Sequence, residues 1–362
     1  MELLLSGYYG FGNVGDDALA RVIVSEVRKR HPAAAFNVLS AQPERTAREL
    51  NVTATPRFNP VQVRNAIARA DVVLSGGGGL LQNSTSLRSL IYYAGLIRAA
   101  VRAGKKTMIF AQSIGPLDFW GKRLVRNWCK GVRSATVRDR RSEALLGSLL
   151  KETRIERAAD PAFLYEPAEE RADLTMEGLG PGSDPLVIVS VRKTSAQNEA
   201  VAATVRAVDR LAEKFAARVA FLPLGGAEDA EVSTTIIRKC KSTPVLLPIS
   251  DLDHAARVIA RAHAVIGMRL HALIFAVKFG VPFLALAYDP KVSALCEDLA
   301  YPLPPLWDAH EKGKAGGSTA DALVDRLMSE HDELARKLSE NAATMAGLAR
   351  RNFDLLDELI EE

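Results

Sequence analysis

Paired cysteines, long apolar runs and a bias of charge are all missing from this chain, and each absence removes a class of function. Its three cysteines, Cys129, Cys240 and Cys296, stand far apart, which argues against a disulfide framework, a structural zinc site and a paired redox motif. No segment offers the roughly 18 uninterrupted apolar residues of a membrane-spanning helix. Glu2 stands where a secretory leader would carry positive charge. The expectation is a cytoplasmic protein whose membrane contact, if any, is peripheral and at the inner face. With 47 basic against 43 acidic residues, the charge is too even to imply a nucleic-acid partner, though it leaves room for a local basic pocket. A His-Glu-x-x-His motif, a cysteine cluster and a Gly-x-Ser-x-Gly elbow are also missing, so neither a metal nor a serine nucleophile is expected.

What is present begins directly behind the apolar run Leu3-Leu4-Leu5. Ser6-Gly7-Tyr8-Tyr9-Gly10-Phe11-Gly12-Asn13-Val14-Gly15-Asp16-Asp17 reads as strand, glycine-rich turn and helix start. Such a turn can cradle an anion, yet no Gly-Lys-Ser/Thr completes a phosphate loop and the spacing is not the dinucleotide fingerprint. Two carboxylates at the helix start would repel a phosphate, so sugar hydroxyls suit Asn13, Asp16 and Asp17 at least as well. A tight turn with capping aspartates and no ligand is the plainer alternative.

Short runs rich in Val, Ile and Leu alternate with helix-patterned segments, the grammar of doubly wound α/β domains with buried parallel sheets. Strands are expected near 3–6, 36–40, 71–75, 107–111 and 135–138, with helices at 17–30, 60–70 and 87–103. The pattern loosens from Glu166 to Asp184, where acidic residues, Gly and Pro accumulate, and restarts at 186–191. Strands near 219–224, 245–247, 264–267 and 283–287 follow, with helices between them. An N-terminal α/β domain over 1–170 and a C-terminal one over 185–318 are thus expected to face a cleft, with two tail helices over 319–362 packing back on the first. No sequence repeat links the halves.

Ligands of open α/β sheets sit beyond the carboxyl ends of strands, so the residues just after each strand carry most weight. In the first half these are the four glycines 76–79 with Gln82 and Asn83, then Ala111-Gln112-Ser113-Ile114-Gly115-Pro116 and Arg138-Asp139-Arg140. Four successive glycines are costly in a core; Gly77, Gly78, Gln82 and Asn83 join the candidate sugar site, a sharp ligand-free turn being the alternative. In the second half Arg192, then Arg269 and His271 in Met268-Arg269-Leu270-His271-Ala272, then Lys291 in Tyr288-Asp289-Pro290-Lys291, follow successive strands. Arginine forks grip carboxylate and phosphate, and a histidine at a helix start can exchange a proton near neutral pH. The other five histidines, His31, His254, His263, His310 and His331, read as structural. Asp160, before a proline, reads as a turn residue, and Lys291 alone could be a solvated loop lysine.

Taken together, these motifs, with Asp160-Pro161-Ala162, resemble the polysaccharide pyruvyltransferases, over about residues 1–300. The branch most similar adds a pyruvate ketal to a cell-wall polysaccharide, typically on N-acetylmannosamine, for anchoring of S-layer proteins. The resemblance implies a fold like that of GT-B glycosyltransferases, phosphoenolpyruvate as donor substrate and no cofactor. It also implies a cell-wall polysaccharide or its lipid-linked precursor as acceptor. His271 and Arg269 would be catalytic, with Arg192, Arg138 and Lys291 holding the donor. A GT-B nucleotide-sugar glycosyltransferase and a non-catalytic glycan-binding protein are the other readings the chain allows.

Overall fold

A computed structural model describes residues 1–84, 86–167, 184–194, 197–248, 251–309 and 317–362. Most of the expected linker, 168–183, and His310 lie outside them. The chain divides into two units, one of residues 1–165 and 345–362, the other of residues 166–344.

In the first unit strands and helices alternate as β1 (Glu2–Tyr9), α1 (Val14–Arg30), β2 (Ala35–Ser40), α2 (Pro43–Leu50), β3 (Thr53–Pro56), α3 (Pro60–Arg69), β4 (Val72–Gly76), α4 (Leu87–Arg102), β5 (Lys106–Gln112), α5 (Phe119–Trp128), β6 (Ser134–Val137), α6 (Arg140–Leu149) and β7 (Arg154–Arg157). The strands form a sheet in the order β3-β2-β1-β4-β5-β6-β7, with every pairing parallel. A central parallel strand is covered on both faces, and Leu3, Leu4 and Leu5 of β1 are accordingly buried in succession. Each such side chain contributes about 2 kcal/mol on leaving water. Two strands of this sheet that the apolar pattern does not mark, β3 and β7, are edge elements: Arg154-Ile155-Glu156-Arg157 carries the charge expected of an exposed edge.

The second unit runs β8 (Leu186–Ser190), α7 (Gln197–Phe215), β9 (Arg218–Phe221), α8 (Ala227–Ile237), β10 (Val245–Leu246), α9 (Leu252–Ala260), β11 (Ala264–Gly267), α10 (Leu270–Lys278), β12 (Phe283–Ala287), α11 (Pro290–Asp298) and β13 (Trp307–Asp308). Its parallel sheet has the order β10-β9-β8-β11-β12-β13. Numbered from its own first strand, it repeats the winding of the first unit. Helix α12 (Gly317–Ser329) packs on α7 in this unit. Helix α13 (His331–Glu361) begins in the second unit and ends in the first, where Phe353 meets Phe110 edge to face at 5.2 Å.

This winding fixes where a ligand can enter. The order reverses between β1 and β4 in one sheet and between β8 and β11 in the other, so the loops leaving those strands diverge and open a crevice at their carboxyl ends.

Candidate active site

In the first unit the crevice is built from glycine and carboxylate. The chain turns after β1 at Gly10 (φ 78°), where an added Cβ would stand 2.3 Å from Ser40 Oγ, so a side chain has no room. Asn13 then caps α1, its Oδ1 accepting the Gly15 N–H at 3.2 Å while its Nδ2 donates to Asp16 Oδ2 at 2.5 Å. From the other side of the crevice β4 delivers Gly77 and Gly78, both at φ 76°. A Cβ on Gly78 would lie 3.1 Å from Asp16 Oδ1, and one on Gly77 2.8 Å from Leu19 Cδ1. The glycine run is thus what lets the loop lie against the start of α1, and Asn13, Asp16, Gly77 and Gly78 come together.

Asp17 sits one residue along, half-buried. Burial pushes its pKa up to about 6, against the opposing pull of Arg45 and of the Gly10 N–H that it accepts. Farther along the same loop, Asn83 Oδ1 accepts the Asp118 N–H at 3.1 Å, tying the loop to the start of α5, and Gln82 accepts from Ser84 Oγ. Arg138 is buried and its Nη1 lies 2.5 Å from Asp160 Oδ2, so its charge is taken up inside the unit. Asp160 also caps the turn Pro161–Leu164 by accepting the Ala162 N–H.

An aromatic group beside the glycine turn escapes a sequence reading centred on polar residues. Tyr8 and Phe11 stack with ring centroids 4.2 Å apart, and Phe58 stands 6.4 Å from Phe11. All three are exposed. The buried Arg57 lies behind them, 5.0 Å from the Phe11 ring and 4.6 Å from that of Tyr92, held by donating to Gly7 O and Tyr93 Oη. The signal was present as Tyr8-Tyr9 and Phe11 within the turn, but Arg57-Phe58 reaches it only through the β2–β3 pairing that places Arg57 N on Ser40 O.

In the second unit the crevice is cationic. Ser190, Gly267 and Ala285 lie abreast in β8, β11 and β12, so the loops after these strands leave one edge of the sheet side by side. Arg192 donates from Nη1 to Tyr288 Oη at 2.9 Å, and its guanidinium carbon lies 4.8 Å from the Tyr288 ring centroid. Lys291 Nζ approaches the same ring at 5.7 Å and Asp289 Oδ2 at 3.7 Å. Burial raises the Tyr288 phenol, but Lys291 and Arg192 outweigh it and hold its pKa below the ordinary value. Burial likewise works against the Lys291 charge, and Tyr288 and Asp289 more than offset it, leaving its pKa raised. Tyr288 is the functional candidate that reading for charged residues passes over.

Arg269 occupies the cap position of α10, with Nε and Nη2 donating to Asp229 at 2.8 and 2.6 Å. Asp229, fully buried, also accepts the Gly225 N–H at 2.7 Å. The fork is therefore aimed by a buried carboxylate. His271 follows in the first turn of α10, half-buried. A cavity elsewhere in this unit, lined by Arg206, Arg210, Trp307 and Asp321 among others, contains none of these residues, and its arginines are paired with Asp321 and Asp325. Among the described residues no three His, Cys, Asp or Glu side chains gather into a metal-binding group. Burial pushes all three cysteine thiols up to about 12, so none is a ready nucleophile.

Comparison with known proteins agrees with this architecture. The chain superposes along its whole length on the UDP-N-acetylglucosamine 2-epimerase of Neisseria meningitidis bound to UDP-GlcNAc, with a TM-score of 0.65 and 11% identity, covering 100% of each chain. A protein of Anabaena solved with UDP and glucose matches with a TM-score of 0.67 and 10% identity over 100% of this chain and 99% of that one. Sucrose-phosphate synthase of Thermosynechococcus elongatus gives 0.63 and 12% over 100% and 99%. At such identities the likeness carries the fold alone, that of GT-B glycosyltransferases and epimerases. No curated protein matches in sequence. A family model described as polysaccharide pyruvyl transferase, however, matches residues 13–290, from the cap of α1 to the loop that carries Tyr288. That match spans both crevices, and with it the chain belongs to the polysaccharide pyruvyl transferase family, a family of transferases.

Proposed function

We propose that the protein transfers pyruvate from phosphoenolpyruvate to two hydroxyls of one sugar as a cyclic ketal, releasing phosphate, with N-acetylmannosamine of a secondary cell-wall polysaccharide as the acceptor. The observation that carries this reading is the gathering of Arg192, Arg269, His271 and Lys291 at neighbouring strand ends in a chain of this family. A donor bearing both carboxylate and phosphate is what such a set of cations selects.

In the proposed reaction His271 delivers a proton to the methylene carbon, leaving an oxocarbenium-like C2. One sugar hydroxyl attacks C2 and forms the first C–O bond. The bond from C2 to the phosphate oxygen then breaks, with the cations stabilising the departing charge, and the second hydroxyl closes the ketal. Of the two hydroxyl protons, one replaces that given to the methylene and the other leaves with phosphate. Asp16 or Asp17 would orient or deprotonate a hydroxyl, and the exposed rings of Tyr8 and Phe11 offer a face for a sugar ring.

The test is acceptor-dependent phosphate release from phosphoenolpyruvate with a nitrophenyl-linked disaccharide ending in β-N-acetylmannosamine, read together with the sugar's mass. A gain of one pyruvate ketal supports the reaction and the acceptor; phosphoenolpyruvate binding without turnover sends the search to other sugars. His271→Ala should abolish turnover with the circular dichroism unchanged, and near-normal activity would remove His271 from the mechanism. The structural neighbours solved with UDP favour a second reading, a nucleotide-sugar glycosyltransferase, in which UDP rather than phosphoenolpyruvate would stabilise the protein.

A further inference from the structure

Four of the large apolar side chains that the protein leaves in water lie at one place. Phe119 and Trp120 open α5 and are 71% and 65% exposed, and Leu87 and Ile91, one turn apart on α4, are exposed as well. The two helix starts are held together by the bond from Asp118 N–H to Asn83 Oδ1, and farther along Gly95 of α4 faces Trp128 of α5. Helix α5 buries Gly121 and Val125 on its inner side, with the capping Cys129 behind them, and turns Phe119, Trp120, Lys122, Arg123 and Arg126 outward. Interior packing therefore does not account for the two rings, and the apolar area they expose is a surface in search of a partner.

The charge around them is one-sided. Between Asp71 and Asp139 the sequence holds eleven Lys and Arg and a single acid, Asp118, which is spent on capping α5 through Gly121 N–H. Arg88, Lys122, Arg123, Arg126 and Lys130 are exposed and make no ion pair among the described residues. Aromatic rings at the tip with basic residues one and two turns behind are the arrangement of an interfacial anchor: rings enter the headgroup boundary while Lys and Arg meet anionic headgroups.

We propose that the paired starts of α4 and α5 dock on an anionic lipid bilayer. Among the described residues no helix is long and apolar enough to cross a membrane, so the attachment is a surface one. Asn83, which ties the two starts together, also belongs to the loop of the first-unit crevice, so docking would bring that crevice to the lipid surface. For a glycan acceptor carried on a lipid, this places the reacting sugar within reach without releasing it from the membrane. The docking itself stands on the rings and charges above and does not depend on which reaction follows.

The experiment is co-sedimentation of the full chain with vesicles of phosphatidylcholine alone and with added phosphatidylglycerol, at low and high salt. Binding is expected to the anionic vesicles and to weaken with salt. Phe119→Ser with Trp120→Ser should lower the partition coefficient at least about tenfold. Lys122→Gln with Arg123→Gln and Arg126→Gln should lower it on the order of 100-fold. Each variant should keep wild-type turnover of a water-soluble acceptor. Failure of the wild type to bind anionic vesicles at low salt overturns the proposal, as does binding that the ring variant leaves unchanged. A dimer that the ring variant dissolves, without vesicle binding, assigns the surface to a second copy instead. Docking by a chain that never turns over phosphoenolpyruvate leaves the surface standing and removes the pyruvyl reading.

Discussion

A phenol set between a guanidinium and an ammonium ionises more readily than one in water, because both cations favour the phenolate. Tyr288 is in that position, and its lowered pKa makes it a candidate acid or base of the proposed donor site. Tyr288→Phe is expected to lower kcat by about 10²–10⁴-fold if the phenol moves a proton and to erase the alkaline limb of the pH profile. Lys291→Met should raise the Tyr288 pKa, visible in the phenolate ultraviolet absorbance. A pH profile untouched by Tyr288→Phe would reduce the residue to a support for Arg192. Asp17 poses the opposite case. Its folded pKa of about 6 lies above the unfolded value of 3.8, so the stability it contributes is intact below the unfolded value and is lost as pH rises through 6. Asp17→Asn should therefore match the wild type near about pH 4 and exceed it by about 1–3 kcal/mol near about pH 8, read by urea denaturation. Equal stability at both pH values would place Asp17 in contact with water. Strand-end position made Arg192, Arg269, His271 and Lys291 legible in the sequence. Tyr288 was not, since a tyrosine behind an apolar strand reads as core. Nor was the Arg138–Asp160 pair, which only the tertiary fold creates.

Loops and helix starts decide how those side chains are aimed. Gly225, after β9, donates to Asp229 and leaves the space that Arg269 fills: a Cβ there would stand 1.8 Å from Arg269 Nη2. Gly225→Ala must push the guanidinium off its carboxylate, leaving the buried Asp229 short of partners at a cost of about 1–3 kcal/mol. Under the proposed reading the KM for phosphoenolpyruvate rises more than kcat falls, and Asp229→Asn reproduces the pattern more mildly. A Gly225→Ala enzyme with normal KM would show that Arg269 acts only within the fold. Nothing in the local sequence around Gly225 announced this role, because Asp229 lies in the next helix and Arg269 forty residues beyond Asp229. The apolar strands were legible for the contrary reason: β1, β8 and β12 are buried on both faces, so their composition alone declares them, whereas β3, β7 and the two-residue β13 lie at sheet edges and need few apolar residues.

At the scale of the whole chain, the alternation of short apolar runs and helices conveyed two doubly wound parallel sheets, but not that two units with no detectable repeat share one strand order. The tail over 319–362 was expected as two helices packing back on the first domain; residues 345–362 group with the first unit, while α12 and the start of α13 group with the second, a division that helical periodicity does not report because it shows that a face is buried and not against what. The same fold serves proteins solved with UDP, so architecture alone does not choose the donor. The choice can be read from where a ligand protects the backbone. A donor held by Arg192, Arg269 and Lys291 must order the loops after β8, β11 and β12, and at about 100 times its Kd it adds about 2.7 kcal/mol of stability. Saturating phosphoenolpyruvate is therefore expected to slow amide hydrogen exchange at residues 190–194, 267–272 and 287–292. The acceptor sugar should instead slow exchange at residues 10–17 and 77–83. Protection of the second-unit loops by UDP, with none from phosphoenolpyruvate, would transfer the same cations to a diphosphate and the chain's activity to sugar transfer.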